Sequence, residues 1–157
     1  MSLSNRGDWA EKKVKVYLEA WQAADPYREY NRMVDTKAAG RIIKAAAADF
    51  EYYALMAVGE PGTHPVHGLI EVKETAHEYR LDRSRVSQLP RIRKREKCGG
   101  TSYVLVYHTA IKKWRVLDVP FMMADNDKGS WDLRSLPTFL DCASALQYTS
   151  GVFPWIG

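Results

Sequence analysis

With 157 residues, the chain has room for one domain with a real core and too little for two of ordinary size. Its 46% hydrophobic and 27% charged residues argue against a disordered chain. No apolar run approaches the ~20 residues of a membrane span, so a soluble protein is expected. A net charge of +4 and a pI near 9.0 say little as totals, and their uneven distribution along the chain says more.

No apolar stretch follows a basic start in residues 1–8, and Cys98 and Cys142 have no metal-type spacing. A cytoplasmic protein in a reducing compartment is the expectation. Trp9, Ala10, Val14, Tyr17, Leu18 and Trp21 recur at intervals of three and four, which predicts an amphipathic helix over residues 9–24. Asp8 is its expected N-cap and Asp25-Pro26 its stop. Residues 27–37 have mixed polarity and read as a turn or short strand before a break at Gly40. Over residues 41–53 the alanines favour helix, while Asp49-Phe50-Glu51-Tyr52-Tyr53 has strand character, so a strand is placed around Asp49.

Glycine, proline and histidine crowd residues 59–68, which read as a long loop, and residues 69–74 read as a strand. Residues 89–97 form a basic helix candidate with Pro90 in its first turn and Gly99-Gly100 as its stop. Residues 103–108 and 114–119 are two further strands, with a connection short enough to make them antiparallel. Past Met123 loops are expected, with one short helix over residues 136–146. The order helix, strand, strand, helix, strand, strand predicts a mixed α/β sandwich, a central sheet with helices on its faces. It is read as a single domain over 1–157, with a core over about 5–123 and an extension over 124–157 that wraps the sheet or joins a dimer contact.

Chemistry concentrates on the strand Leu69-Ile70-Glu71-Val72-Lys73. Side chains alternate along it, so Glu71 and Lys73 share one face. If the strand holding Asp49 pairs with this one, Asp49 and Glu71 can share a divalent cation, and carboxylates with water suit magnesium. Phosphodiester hydrolysis needs a hard cation to polarise the phosphate and activate a water, and further positive charge for the transition state, which Lys73 would supply. Glu11 on the first helix is a third candidate ligand, direct or through water. Glu-x-Lys on a strand is a common pattern, however, and an upstream aspartate can be found in almost any protein.

The neighbourhood adds weight. Arg80, Arg83, Arg85, Arg91, Arg93, Lys94, Arg95 and Lys97, eight cations, are set against Asp82 and Glu96 alone. Such a run is either a solvated face or a surface that holds phosphates. His64 and His67 lie in the expected loop without a paired Cys or His and are read as exposed rather than as metal ligands. His77 and His108 carry no signal. Trp9 and Trp21 are expected in the core and Trp114 on a strand, while Trp131 and Trp155 fall in the tail.

Several motifs belong together: Asn5-Arg6-Gly7 followed by Glu11, then Gly40-Arg41, Asp49-Phe50, and Ile70-Glu71-Val72-Lys73-Glu74-Thr75. Leu81, Gln88, Gly99-Gly100 and the apolar run 102–108 follow at matching spacings. Over about residues 5–139 the chain thereby resembles the RecU-type Holliday junction resolvases, within the nuclease superfamily that has an Asp…Glu-x-Lys core. The resemblance implies a restriction-endonuclease-like three-layer sandwich. It further implies a homodimer that binds four-way DNA junctions and resolves them by paired nicks in recombination and repair. Mg²⁺, or Mn²⁺ in its place, would be held by Asp49 and Glu71 with Glu11 nearby. Lys73 would be the catalytic lysine, and Gln88 would position a water or the scissile phosphate. Arg6, Arg41, Lys44, Arg80, Arg83, Arg85, Arg91, Arg93, Lys94 and Arg95 would hold the DNA backbone. The chain departs from the family in a shorter basic projection before Asp49, with only Lys37, Arg41 and Lys44, in a longer 59–68 segment, and in Val72 for a smaller residue. A phage or mobile-element member would fit this size. Two alternatives share the pattern: a nuclease of the superfamily acting on flaps, nicks or duplex DNA, and a DNA-binding protein without catalysis.

Overall fold

The computed structural model describes residues 6–33, 48–57, 63–124, 129–149 and 153, and for residues 6–8, 56, 57 and 63 the backbone alone. In chain order the elements are α1 (Arg6–Ala23), β1 (Arg28–Arg32), β2 (Phe50–Ala57), β3 (Thr63–Thr75), β4 (Arg80–Asp82), a single 3-10 turn (Arg83–Arg85), α2 (Leu89–Lys97), β5 (Tyr103–His108), β6 (Lys113–Asp118), α3 (Val119–Met123), β7 (Ser130–Asp132) and α4 (Cys142–Gln147). The sheet has the order β1-β2-β3-β5-β6. β1, β2 and β3 are antiparallel neighbours, β3 and β5 run parallel, and β5 and β6 form the expected hairpin. The β3-to-β5 connection carries α2, as a parallel pair requires a crossover.

Alternation along the strands sorts the core into two layers, one on each face of the sheet. On one face Phe50, Tyr52, Ile70, Val72 and Leu105 meet Ala10, Val14, Leu18 and Trp21 of α1 and Ala145 and Leu146 of α4. On the other face Leu69, Val104, Val106 and Leu117 meet Ile92 of α2 and Val119 and Met122 of α3. The expected class, a mixed sheet flanked by helices, is the one observed. No helix among the described residues is long and apolar enough to cross a membrane.

The element boundaries correct several expectations. α1 starts at Arg6, ahead of the expected cap Asp8. Trp9 is not core: it is 45% exposed, with its ring 4.7 Å from that of Tyr107. Trp21 and Trp114 are buried as expected. The expected loop 59–68 is in its second half a strand, since β3 begins at Thr63. Only from Ile70 onward does β3 have a second neighbour, β5. Its first half is therefore locally an edge, where Pro65 forfeits no ladder bond.

The described residues past Met123 also hold more regular structure than expected. β7 pairs with β4, which brings Trp131 into the core, and its Nε1 donates to the Met122 carbonyl at 3.1 Å. The short helix read over 136–146 is α4, displaced to later residues. Asp141 fixes its start by accepting the Ser144 N–H at 2.7 Å. Phe153 is fully buried among Tyr17, Trp21 and Tyr52.

Gly68 is where the long β3 depends on one residue. Thr101 crosses it so closely that a Cβ at Gly68 would lie 1.8 Å from the Thr101 carbonyl oxygen. That carbonyl also accepts the Tyr52 hydroxyl, and the Thr101 N–H donates to His67 at 2.8 Å, so the crossing is tied on both sides. Gly68→Ala is expected to destabilise the protein by roughly 3 kcal/mol or more, at or beyond the upper end of overpacking effects. A chemical denaturation midpoint within error of the parent would contradict this.

Candidate active site

Asp49 immediately precedes β2, and the register that pairs Phe50 with Ile70 carries Asp49 opposite Glu71. The Asp49 Oδ2 accepts the Val72 backbone N–H at 2.7 Å. This bond fixes the carboxylate over the middle of β3. Glu71 and Lys73 project to the same face, as alternation requires, and the Lys73 Nζ lies 3.0 Å from the Glu71 Oε1. The Glu71 side chain is only 7% exposed and that of Lys73 is 24% exposed. The sequence thus placed three groups that the fold brings together.

The electrostatics are those of a cluster with more carboxylates than cations. Burial, then the Glu71 carboxylate, push the Asp49 pKa up to about 7, against relief from the Val72 N–H and Lys73. Burial also raises Glu71, with Lys73 the largest opposing influence. Glu11 raises both, so it lies within electrostatic reach. Its carboxylate is directed elsewhere, however, accepting the Arg32 Nε at 3.1 Å. Among the described residues no group of three or more His, Cys, Asp or Glu stands close enough to hold a metal ion. Glu11 is not a third member of the pair as it stands. A half-buried and a buried carboxylate, mutually repelling and of hard oxygen character, beside one ammonium nonetheless form a donor set that fits Mg²⁺ or Mn²⁺.

Gln88 forms the N-cap of α2 without a side-chain capping bond. Among the described residues, no hydrogen bond joins its side chain to Asp49, Glu71 or Lys73. The basic segment is divided by the fold. Arg80, Arg85, Arg93, Lys94 and Lys97 are exposed. Arg83 instead lies 4.8 Å from the Trp131 ring, and Arg95 pairs with Glu51 at 3.3 Å. Arg91 is half-buried. Arg6 begins α1, its side chain outside the described set, and Arg41 and Lys44 lie outside the described residues altogether. His64 is exposed as expected, whereas His67 is half-buried against Gly100.

Sequence reasoning missed Arg32, which ends β1 in register with Phe50 and binds Glu11. Alternation along residues 28–32 was the available signal, but the mixed polarity there hid it. It also missed Glu74 as a tether: its Oε1 accepts the Ala10 N–H at 3.2 Å and ties α1 to the strand that bears Glu71 and Lys73.

No protein-family model matches the chain, and no curated protein does. Among solved structures it is similar to Archaeoglobus fulgidus Hjc, a Holliday junction resolvase from an archaeal hyperthermophile. The identity is 19% and the TM-score 0.45, over 80% of this chain and 86% of that one.

Proposed function

We propose that the chain is a Mg²⁺-dependent endonuclease of the Asp…Glu-x-Lys type that cuts four-way DNA junctions by paired nicks. The observation that carries this reading is the meeting of Asp49, Glu71 and Lys73: a half-buried carboxylate just before β2 and a buried one on β3, both raised above their usual range, with an ammonium 3.0 Å from the second. A fold with no use for a cation at this point gains nothing from withdrawing two neighbouring carboxylates from water. The motif resemblance of residues 5–139 supplies the junction as substrate.

Asp49 and Glu71 are the residues that would hold the metal, with Glu11 assisting once parted from Arg32. Bound there, the ion would polarise the phosphate and lower the pKa of a bound water. Lys73, a quarter exposed, offers its charge to the attacked phosphate and favours the ionised form of Glu71 against its burial. The Val72 N–H orients Asp49, and Gln88 approaches the scissile phosphate from the start of α2. Exposed Arg80, Arg85, Arg93 and Lys94 contact the DNA backbone, together with Arg6, Arg41, Lys44, Arg83, Arg91 and Arg95. A homodimer would present two such sites to the two equivalent strands of a junction.

The test is a labelled four-way junction and a matched linear duplex, with and without Mg²⁺, beside Lys73→Ala and Asp49→Asn. Paired nicks in the junction alone, lost in both variants with binding retained, are the expected result. Cutting of both substrates would replace the junction by a broader DNA substrate. Binding without metal-dependent cutting would overturn the nuclease. Replacing Arg93 and Lys94 together by Gln is expected to weaken binding to every DNA alike. It should flatten the plot of log affinity against log salt by about two units, one per lost phosphate contact. An unchanged slope would remove α2 from the DNA surface.

A further inference from the structure

Beyond β3 the chain runs through residues 76–79 into β4, and this link is held from inside. His108 Nδ1 lies 2.7 Å from the His77 carbonyl oxygen, and Arg115 Nη1 donates to the Glu78 carbonyl at 2.8 Å. The same Nη1 lies 3.1 Å from His108 Nε2. A ring nitrogen facing a carbonyl carries the proton, which leaves Nε2 as the acceptor for the guanidinium. Burial lowers the His108 pKa and keeps the ring neutral in that role. Tyr79 is fixed in turn by the Leu133 N–H, which donates to its carbonyl at 2.7 Å.

This support presents one wall of a cavity of about 380 Å³, lined by Tyr79, Arg80, Phe121, Trp131, Asp132 and Arg134 among others. The size falls within the range of small-ligand sites, and it admits one base rather than a duplex. Arg134 packs on the Tyr79 ring at 4.4 Å and is held in place by the Asp132 carboxylate, with its Nε 3.0 Å from both oxygens. Two arginines against one aspartate leave the lining net positive. An exposed guanidinium laid on an aromatic ring offers its outer face to a base, and Arg80 beside it offers a charge to the attached phosphate, which are contacts that recognise a nucleotide.

We propose that this pocket takes one unpaired nucleotide of a branched DNA, its base on the Arg134 guanidinium that Tyr79 supports and its phosphate on Arg80. The proposal rests on the nuclease reading above and places a strand-end contact six residues beyond Lys73. The base opened at a branch point would seat there, while paired DNA continues over the exposed cations of α2.

The experiment is fluorescence anisotropy without metal, comparing a duplex that carries a short single-stranded arm with a blunt duplex of equal length. The full chain is measured beside Tyr79→Ala and Arg134→Gln, each checked by thermal melting. The intact protein is expected to bind the armed DNA about tenfold more tightly, the weight of one stacked base. Each variant should lose most of that preference and keep its blunt-duplex affinity within twofold. Equal affinity of the intact protein for both DNAs, or variants that weaken both alike, would overturn the pocket. Because no cutting is measured, a protein that binds as expected but never cleaves would overturn the nuclease and leave the pocket standing.

Discussion

Lys73→Ala is expected to lower the single-turnover rate of DNA cleavage by about 100- to 1000-fold, the usual cost of losing one positioned charge at a transition state. DNA affinity in the absence of metal should stay within threefold, because one ammonium among many surface cations adds little to binding. The side chain has a second task, and it sets the direction of a pH effect. Lys73 is the largest influence lowering the Glu71 pKa against burial, so its removal raises that pKa further. The residual activity of the variant should therefore appear only at higher pH than in the parent, and should need more Mg²⁺ at a given pH. Lys73→Arg keeps the charge but replaces a compact ammonium by a planar fork, so partial recovery of rate is expected, with the pH profile restored. A Lys73→Ala rate within threefold of the parent would remove Lys73 from the chemistry and leave its contact with Glu71 as a plain ion pair.

What was legible in the sequence is what depends on local period. Glu71 and Lys73 share a face because a strand alternates, and β5 and β6 pair because four residues join them. Asp49 was legible at one remove, through the rule that consecutive strands tend to be neighbours. The misreadings are those in which a distant partner decides. Pro65 and Gly68 look like loop punctuation. Yet Pro65 stands on the one-sided half of β3, and Gly68 is needed because Thr101 crosses it. β4 and β7 are three residues each, too short for any period, and the pairing of Arg80 with Asp132 joins positions far apart in the chain. Arg32 was invisible as a partner of Glu11 for the same reason. The helical spacing of apolar residues marked Trp9 as core, but its place near the start of α1 beside Tyr107 leaves nearly half of it in water.

Asp49→Asn is expected to make the metal-free protein more stable and to abolish cleavage. In an unfolded chain an aspartate gives up its proton near pH 4, whereas burial and Glu71 hold the folded Asp49 protonated to about 7. Between those values the folded state binds more protons than the unfolded one, so stability falls as pH rises from about 4 to about 7. Above that window the loss is complete and stays constant. At about 1.4 kcal/mol per unit of pKa, the penalty reaches on the order of 4 kcal/mol at most, and Glu71, raised in the same direction, adds to it. Asparagine keeps a carbonyl oxygen to accept the Val72 N–H and carries no charge, so at pH 8 its midpoint of thermal unfolding should rise by on the order of 10 °C. At pH 4 variant and parent should melt together. Mg²⁺ should raise the melting temperature of the parent at pH 8, since a ligand that binds only the folded state stabilises it, and leave the variant nearly unmoved. A variant that melts at or below the parent at pH 8 would mean that Asp49 is not strained by its burial. The cation would then lose its physical motive, because a carboxylate already at ease has little to gain from an ion beside it.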